Sequence, residues 1–244
     1  MSIDALRGKT VLITGGAVRV GRYLAIASAE AGANVIVHYS HSEAEAFGAV
    51  NEIHKHDVKC WAVQQDFTQT EHVSRFMDEC WEISPIDILV NNAALFKPLT
   101  IETTSLADWQ AHMAVNLDTP FLLSQRFLQL LPPGKQGRII NILDWRALRP
   151  GKDHLPYTIS KAGLAAFTQS LAIAAAPRVL VNGIALGAML APVGGVDEKA
   201  LFAEYPIKRW IEPAELAQAF LFLAAGPEII TGEIIHLDGG RHLH

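Results

Sequence analysis

The chain has 244 residues, 50% hydrophobic and 18% charged, with a formal net charge of −5. That balance suits a globular protein with a sizeable core, and an acidic chain without a basic block excludes nucleic acid as the main partner. No apolar run is long enough to span a bilayer, and Cys60 and Cys80 lie in apolar surroundings without metal-ligand spacing, which predicts a reduced, cytoplasmic protein without disulfides or a metal site.

Residues 1–10 lack the basic-then-apolar layout of a secretory leader, in keeping with that expectation. Lys9–Thr14 reads as a short buried strand. Thr14, Gly15, Gly16, Arg19, Val20 and Gly21 form a glycine-bearing turn that opens a small-residue helix ending at Gly32. Strand, glycine turn and helix together predict a dinucleotide site, because glycines let the backbone approach a pyrophosphate and the helix N-terminus supplies free N–H groups. Asn34–Tyr39 is the second strand. Its end, His38-Tyr39-Ser40-His41-Ser42, has no carboxylate before Glu43. A carboxylate there would bind a ribose 2′-hydroxyl and repel a 2′-phosphate, so its absence, with Arg19, His41 and Ser42 as donors, predicts NADP(H) over NAD(H). Ser42 and Glu45 also have capping-box spacing.

Val58–Gln65 is the third strand, with Asp66 and Phe67 at its end where an adenine is read. A helix over Thr70–Glu82 and a fourth strand, Ile86–Val90, lead into Asn91, Asn92, Ala93, Ala94 and Phe96, a segment with small residues that leave room for a flat ligand. Ser105–Leu131 reads as long helical structure containing Asn116, whose amide is either structural or part of a proton path. The fifth strand, Arg138–Leu143, ends at Asp144, and a long helix over Pro156–Ala176 follows. Arg178–Ile184 is the sixth strand. Residues 186–204, with Gly187, Pro192, Gly194 and Gly195, predict an irregular lid. A helix over Glu215–Ala225 and a strand over Glu233–Leu237 complete the chain. Strands alternating with helices predict one Rossmann-like doubly wound α/β domain over 1–244, a parallel sheet of about seven strands flanked by helices, with its ligand beyond the carboxyl ends of the strands.

Tyr157 and Lys161 lie four residues apart, on one helical face. A phenol ionises near pKa ~10, and an ammonium one turn away lowers that value, so the pair is a plausible acid–base device. Alone it fits a packed tyrosine beside a snorkelling lysine equally well.

The glycine turn, Asp66, Asn91-Asn92-Ala93, Asn116, Tyr157-x-x-x-Lys161 and Asp238-Gly239-Gly240, in this order and at these separations, resemble the short-chain dehydrogenase/reductase family over essentially the whole chain. The resemblance implies hydride transfer with NADP(H), Tyr157 exchanging the proton, Lys161 holding the nicotinamide ribose and Asn116 anchoring a water. It also implies a homotetramer. Three residues depart from the family: Arg19 replaces a glycine, Asp144 replaces a serine thirteen residues before Tyr157, and Leu186 replaces a proline. The first two, with His38, Tyr39, Ser42 and Phe96, are similar to pteridine reductases, and the ending Leu237–Leu243 is similar to bacterial dihydromonapterin reductases. That implies a pterin against Phe96, with Arg19, Asp144 and Tyr157 contacting it.

The chemistry of the substitution agrees. An ionised Asp144 only accepts hydrogen bonds and disfavours a phenolate at Tyr157, opposing Lys161. Such a tyrosine is kept protonated for donation to a ring nitrogen. Asp144 also fits a plain loop cap, Trp145 and Arg146 fit loop packing better than lining the pocket, and Phe96 fits a core residue. The leading expectation is NADPH-dependent reduction of a dihydropterin C=N bond. The alternatives are a ketoacyl or small-ketone reductase and a non-catalytic NADP-binding regulatory protein.

Overall fold

A computed structural model describes residues 4–191 and 195–243. Seven strands form one parallel sheet in the order β3-β2-β1-β4-β5-β6-β7. They are β1 (Thr10–Ile13), β2 (Asn34–Tyr39), β3 (Cys60–Gln64), β4 (Ile88–Asn91), β5 (Gly137–Asp144), β6 (Val179–Leu186) and β7 (Ile234–Leu237). Alternation along each strand sends Val11 and Ile13 to one face and Leu12 to the other. The first face packs on α1 (Arg19–Glu30), α2 (Glu43–Ile53) and α8 (Pro213–Ala225), and the second on α3 (Val73–Ile83), α5 (Thr119–Leu130) and α6 (Leu155–Ala175). Both faces are covered, which is why the strands read as continuous apolar runs. Strand order reverses between β1 and β4, and the crevice at that reversal holds the site.

The long helical stretch predicted over 105–131 is built as α4 (Leu106–Met113), a π turn over Ala114–Asp118 and α5. The π turn holds Asn116 buried beneath the β4 exit. Strand β6 runs two residues beyond its predicted end, to Leu186, which pairs with Asp144 on one side and Leu237 on the other. The expected irregular lid over 186–204 contains a single-turn helix, α7 (Glu198–Leu201), and a 3-10 turn over Phe202–Glu204; Pro192 and Gly194 lie outside the described residues. The capping box expected from Ser42 and Glu45 is not formed, because the Ser42 side chain makes no cap hydrogen bond. A capping box forms instead between Glu212 and Glu215 at the start of α8.

Helix α1 sits hard against the turn that precedes it. A Cβ on Gly21 would lie 2.1 Å from the Gly15 carbonyl oxygen, which backbone cannot relieve without moving the turn. Gly48, inside α2, meets only the tip of Arg22 at 3.9 Å. Gly21→Ala is therefore expected to lower the thermal midpoint by ~5 °C or more, while Gly48→Ala leaves it unchanged or raises it. Thermal unfolding followed by circular dichroism checks both.

Candidate active site

A cavity of about 920 Å³ opens at the carboxyl edge of the sheet. Of the residues singled out in the sequence, Gly15, Arg19, Val20, Gly21, His38 to Ser42, Asp66, Phe67, Asn92 to Ala94, Phe96, Asp144, Tyr157, Lys161 and Gly187 all line it. Thr14 and Asn116 do not.

The polar groups around the glycine turn hold it from behind. The Thr14 hydroxyl donates to the Val90 carbonyl and accepts from the Asn92 and Ala93 N–H groups at 2.9 and 3.0 Å. The Asn92 amide donates to the carbonyls of Thr14 (2.8 Å) and Gly15 (3.2 Å). His38 is buried and bridges the turn to β3: its Nδ1 accepts from Gly15 N–H and its Nε2 donates to the Gln65 carbonyl, each at 2.9 Å. Burial pushes the imidazole down to about 4, so this bridge is neutral. Thr14 and His38, expected at the cofactor site, engage their polar atoms within the scaffold, and His38 also lines the cavity. The Asn116 amide is likewise bonded to protein groups. Its Oδ1 accepts from Leu95 N–H (2.8 Å), and its amide hydrogens go to the Leu95 carbonyl and Ser160 Oγ, so neither is left for a water.

Arg19 adopts φ +51°, a left-handed conformation costing a non-glycine residue ~1 kcal/mol. Its guanidinium reaches across the cavity mouth to the Leu190 carbonyl at 3.4 Å. At the end of β2, Ser40 Oγ and His41 Nδ1 lie 2.9 Å apart. Asp66 turns one oxygen back to Thr68, accepting from its N–H (2.9 Å) and hydroxyl (2.8 Å), and these bonds hold its carboxyl below the usual range.

At the other end of the cavity, β5 delivers Asp144 and the first turn of α6 delivers Tyr157. The Tyr157 hydroxyl donates to Asp144 Oδ2 at 3.1 Å, and Asp144 Oδ1 accepts from Arg146 N–H at 2.9 Å. The carboxylate therefore caps the loop and engages the phenol, one oxygen to each. Burial raises the Asp144 carboxyl above its ordinary value, against the pull of Arg146. Burial and then the Asp144 charge push the Tyr157 phenol well above 10. Lys161 is buried and donates to the Ile142 carbonyl at 2.6 Å, with its ammonium 5.9 Å from the Tyr157 ring centre. Burial brings it down to about 8, with Asp144 opposing. Burial and the carboxylate outweigh the lowering expected from Lys161, so the net direction is upward.

Phe96 is half exposed at the mouth, stacked on His154 (4.2 Å between centres, 12° between planes) and edge-on to Tyr157 (4.6 Å, 78°). Trp145 and Arg146, for which the sequence offers loop packing or pocket lining, do both: the guanidinium lies 4.6 Å from the indole centre, and both line the cavity. Sequence reasoning missed Tyr205 and Trp210, which form part of the outer wall. Their only signal was aromatic character just after the lid.

A model of the short chain dehydrogenase family matches residues 9–200. Among curated proteins, a 3-oxoacyl-[acyl-carrier-protein] reductase of Aquifex aeolicus is 34% identical, over 96% of this chain and 98% of its own. Among solved structures, FolM alternative dihydrofolate reductase 1 from Brucella suis, in complex with NADP, superposes with a TM-score of 0.92 at 33% identity, over 98% of this chain and 97% of its own. The Brucella canis protein of the same description, also complexed with NADP, gives 0.90 at 33% identity, over 100% and 97%. With that match and a sheet that is parallel throughout, this chain belongs to the short chain dehydrogenase family.

Proposed function

We propose that the protein is an NADPH-dependent reductase of pteridine substrates, acting on a dihydropterin-like C=N bond. The carrying observation is the part-buried hydrogen bond from Tyr157 to Asp144. A neutral hydroxyl in place of Asp144 would leave the positive charges of Arg146 and Lys161 near the phenol. The carboxylate instead keeps Tyr157 in its protonated form, the form a proton donor starts from, whereas alcohol oxidation starts from the phenolate. Likeness to the two FolM alternative dihydrofolate reductases supports a pteridine substrate.

The residues present fit the cofactor. The N-terminus of α1 has no side-chain cap and no acidic residue in its first turn, leaving its N–H groups open to a pyrophosphate. The Ser42 hydroxyl, free of its cap, serves with Arg19 and His41 as donor to a 2′-phosphate. When bound, NADPH supplies the hydride. Lys161 would hold the nicotinamide ribose, Tyr157 would give the proton of its hydroxyl to the substrate nitrogen, and Asp144 would keep that proton on the phenol until transfer. Asp144 also accepts from N–H and NH₂ groups of a pterin lying against Phe96. Asn116 is a positioning residue, clamping Leu95 and with it the backbone that carries Phe96.

We place the reaction in the cytoplasm, where the free, buried Cys60 and Cys80 stay reduced. A homotetramer is part of the same proposal: Phe121 on α5 and Ile159 and Ile173 on α6 are exposed apolar side chains suited to burial between subunits. The second reading, a 3-oxoacyl or small-ketone reductase, is favoured by the full-length identity to the Aquifex enzyme.

Asp144→Ser separates the two. Its kcat/KM for a dihydropterin is expected to fall ~100-fold or more, with ketone turnover maintained or raised. Equal or higher pterin turnover in the variant contradicts the proposal. For the cofactor, fluorescence titration should show NADPH bound at least about tenfold more tightly than NADH, and tighter NADH binding contradicts the reading of the β2 end.

A further inference from the structure

We infer that Arg241 is a positioning residue for the reaction, joining the outer wall of the cavity to the loop that carries Asp144. The inference rests on the proposed roles of Asp144 and Tyr157 and concerns what holds their surroundings in place.

The segment after β7 is tied down from within. Asp238 is buried, and its Oδ1 accepts from Gly240 N–H at 3.0 Å. Its Oδ2 accepts from His242 N–H at 2.9 Å and His242 Nδ1 at 2.8 Å. These bonds fix a short 3-10 turn over Arg241–Leu243. Two cavity-lining segments then meet it. The Ile207 N–H donates to the Gly239 carbonyl at 3.0 Å, and Arg149 reaches the His242 carbonyl at 3.5 Å.

Arg241 projects between them. Its side chain is only 15% exposed and is ion-paired with Glu204. Its guanidinium lies 4.3 Å from the centre of the Trp145 ring and 5.7 Å from that of Tyr205. Trp145 and Tyr205 both line the cavity, and Trp145 directly follows Asp144. The same indole receives Arg146 at 4.6 Å, whose N–H holds Asp144 Oδ1. Glu204, Arg241, Trp145, Arg146 and Asp144 thus form one contiguous series of contacts from the outer wall to the phenol's partner. A planar guanidinium suits this place, since it stacks on rings while its edge meets a carboxylate.

The outer wall needs such an anchor. Among the described residues between β6 and α8, regular structure is limited to the single-turn α7 and the 3-10 turn ending at Glu204. Losing Arg241 would free Tyr205 and Trp145 together, and small misplacements at a reacting centre are costly. The nucleotide half of the cavity, built on β1, β2 and β4, lies outside this series.

The test compares wild type with Arg241→Ala, Arg241→Lys and Glu204→Gln. Steady-state kcat and KM are measured at saturating NADPH on a dihydropterin and on a small ketone, beside NADPH affinity and thermal midpoint. Arg241→Ala should lose roughly tenfold or more in kcat/KM for the reducible substrate while NADPH affinity stays within about twofold. Arg241→Lys should recover part of the loss, and Glu204→Gln combined with Arg241→Ala should cost less than the product of the single effects. Unchanged kcat/KM in Arg241→Ala overturns the inference. So does a loss that tracks falling NADPH affinity and thermal midpoint without recovery in Arg241→Lys. A wild type that reduces only the ketone sinks the pteridine reading, yet the variant ratios on that ketone still decide the role of Arg241.

Discussion

The hydrogen bond between Tyr157 and Asp144 is the constraint on which the rest of the site depends. A carboxylate beside a phenol in a largely desolvated crevice is an electrostatic liability, since little water reaches the pair to spread its charge. The fold contains that liability with fixed partners. Arg146 N–H satisfies the second carboxylate oxygen, and Lys161 brings a compensating charge from the same helix as the tyrosine. Burial and the Asp144 charge both hold the proton on Tyr157.

Placing that carboxylate falls to the sheet. Asp144 is the last residue of β5, and its register partner is Leu186, itself paired with Leu237 of the outermost strand. Leu186 stands where the family resemblance expects a proline, which has no N–H to give a ladder. The leucine lets β6 run the full length of β5, so the catalytic edge is anchored on its far side. Behind the strands, Asn91 donates to Asn141, and Asn141 to Thr168 of α6, each at 2.8 Å. This buried polar series ties β4, β5 and the tyrosine-bearing helix into one rigid body.

Much of this was legible in the sequence because it is local. Apolar runs marked the strands, glycines marked the turn, and four-residue spacing put Tyr157 and Lys161 on one helix face. What sequence could not show is where polar side chains point. Thr14 and His38 stand beside the nucleotide crevice, and their identities suit a ligand, yet each spends its polar atoms on backbone brought near only by the folded sheet. Asn116 is the same case, with its partners Leu95 and Ser160 on separate segments. The capping box at Ser42 matched its pattern, but the side chain takes no part in it. Tyr205, Trp210 and Arg241 meet the site only through long-range packing, and no spacing rule reaches across the cavity.

The relatives pull the substrate reading in two directions, a 3-oxoacyl-[acyl-carrier-protein] reductase among curated proteins and FolM alternative dihydrofolate reductases among solved structures. The ionisation state of one phenol divides them most directly. Carbon-13 NMR of tyrosine-labelled protein with NADPH bound, with Tyr157→Phe to assign the resonance, would follow that phenol against pH. The carboxylate contact predicts no titration of Tyr157 below about pH 10, and titration near neutrality would contradict it.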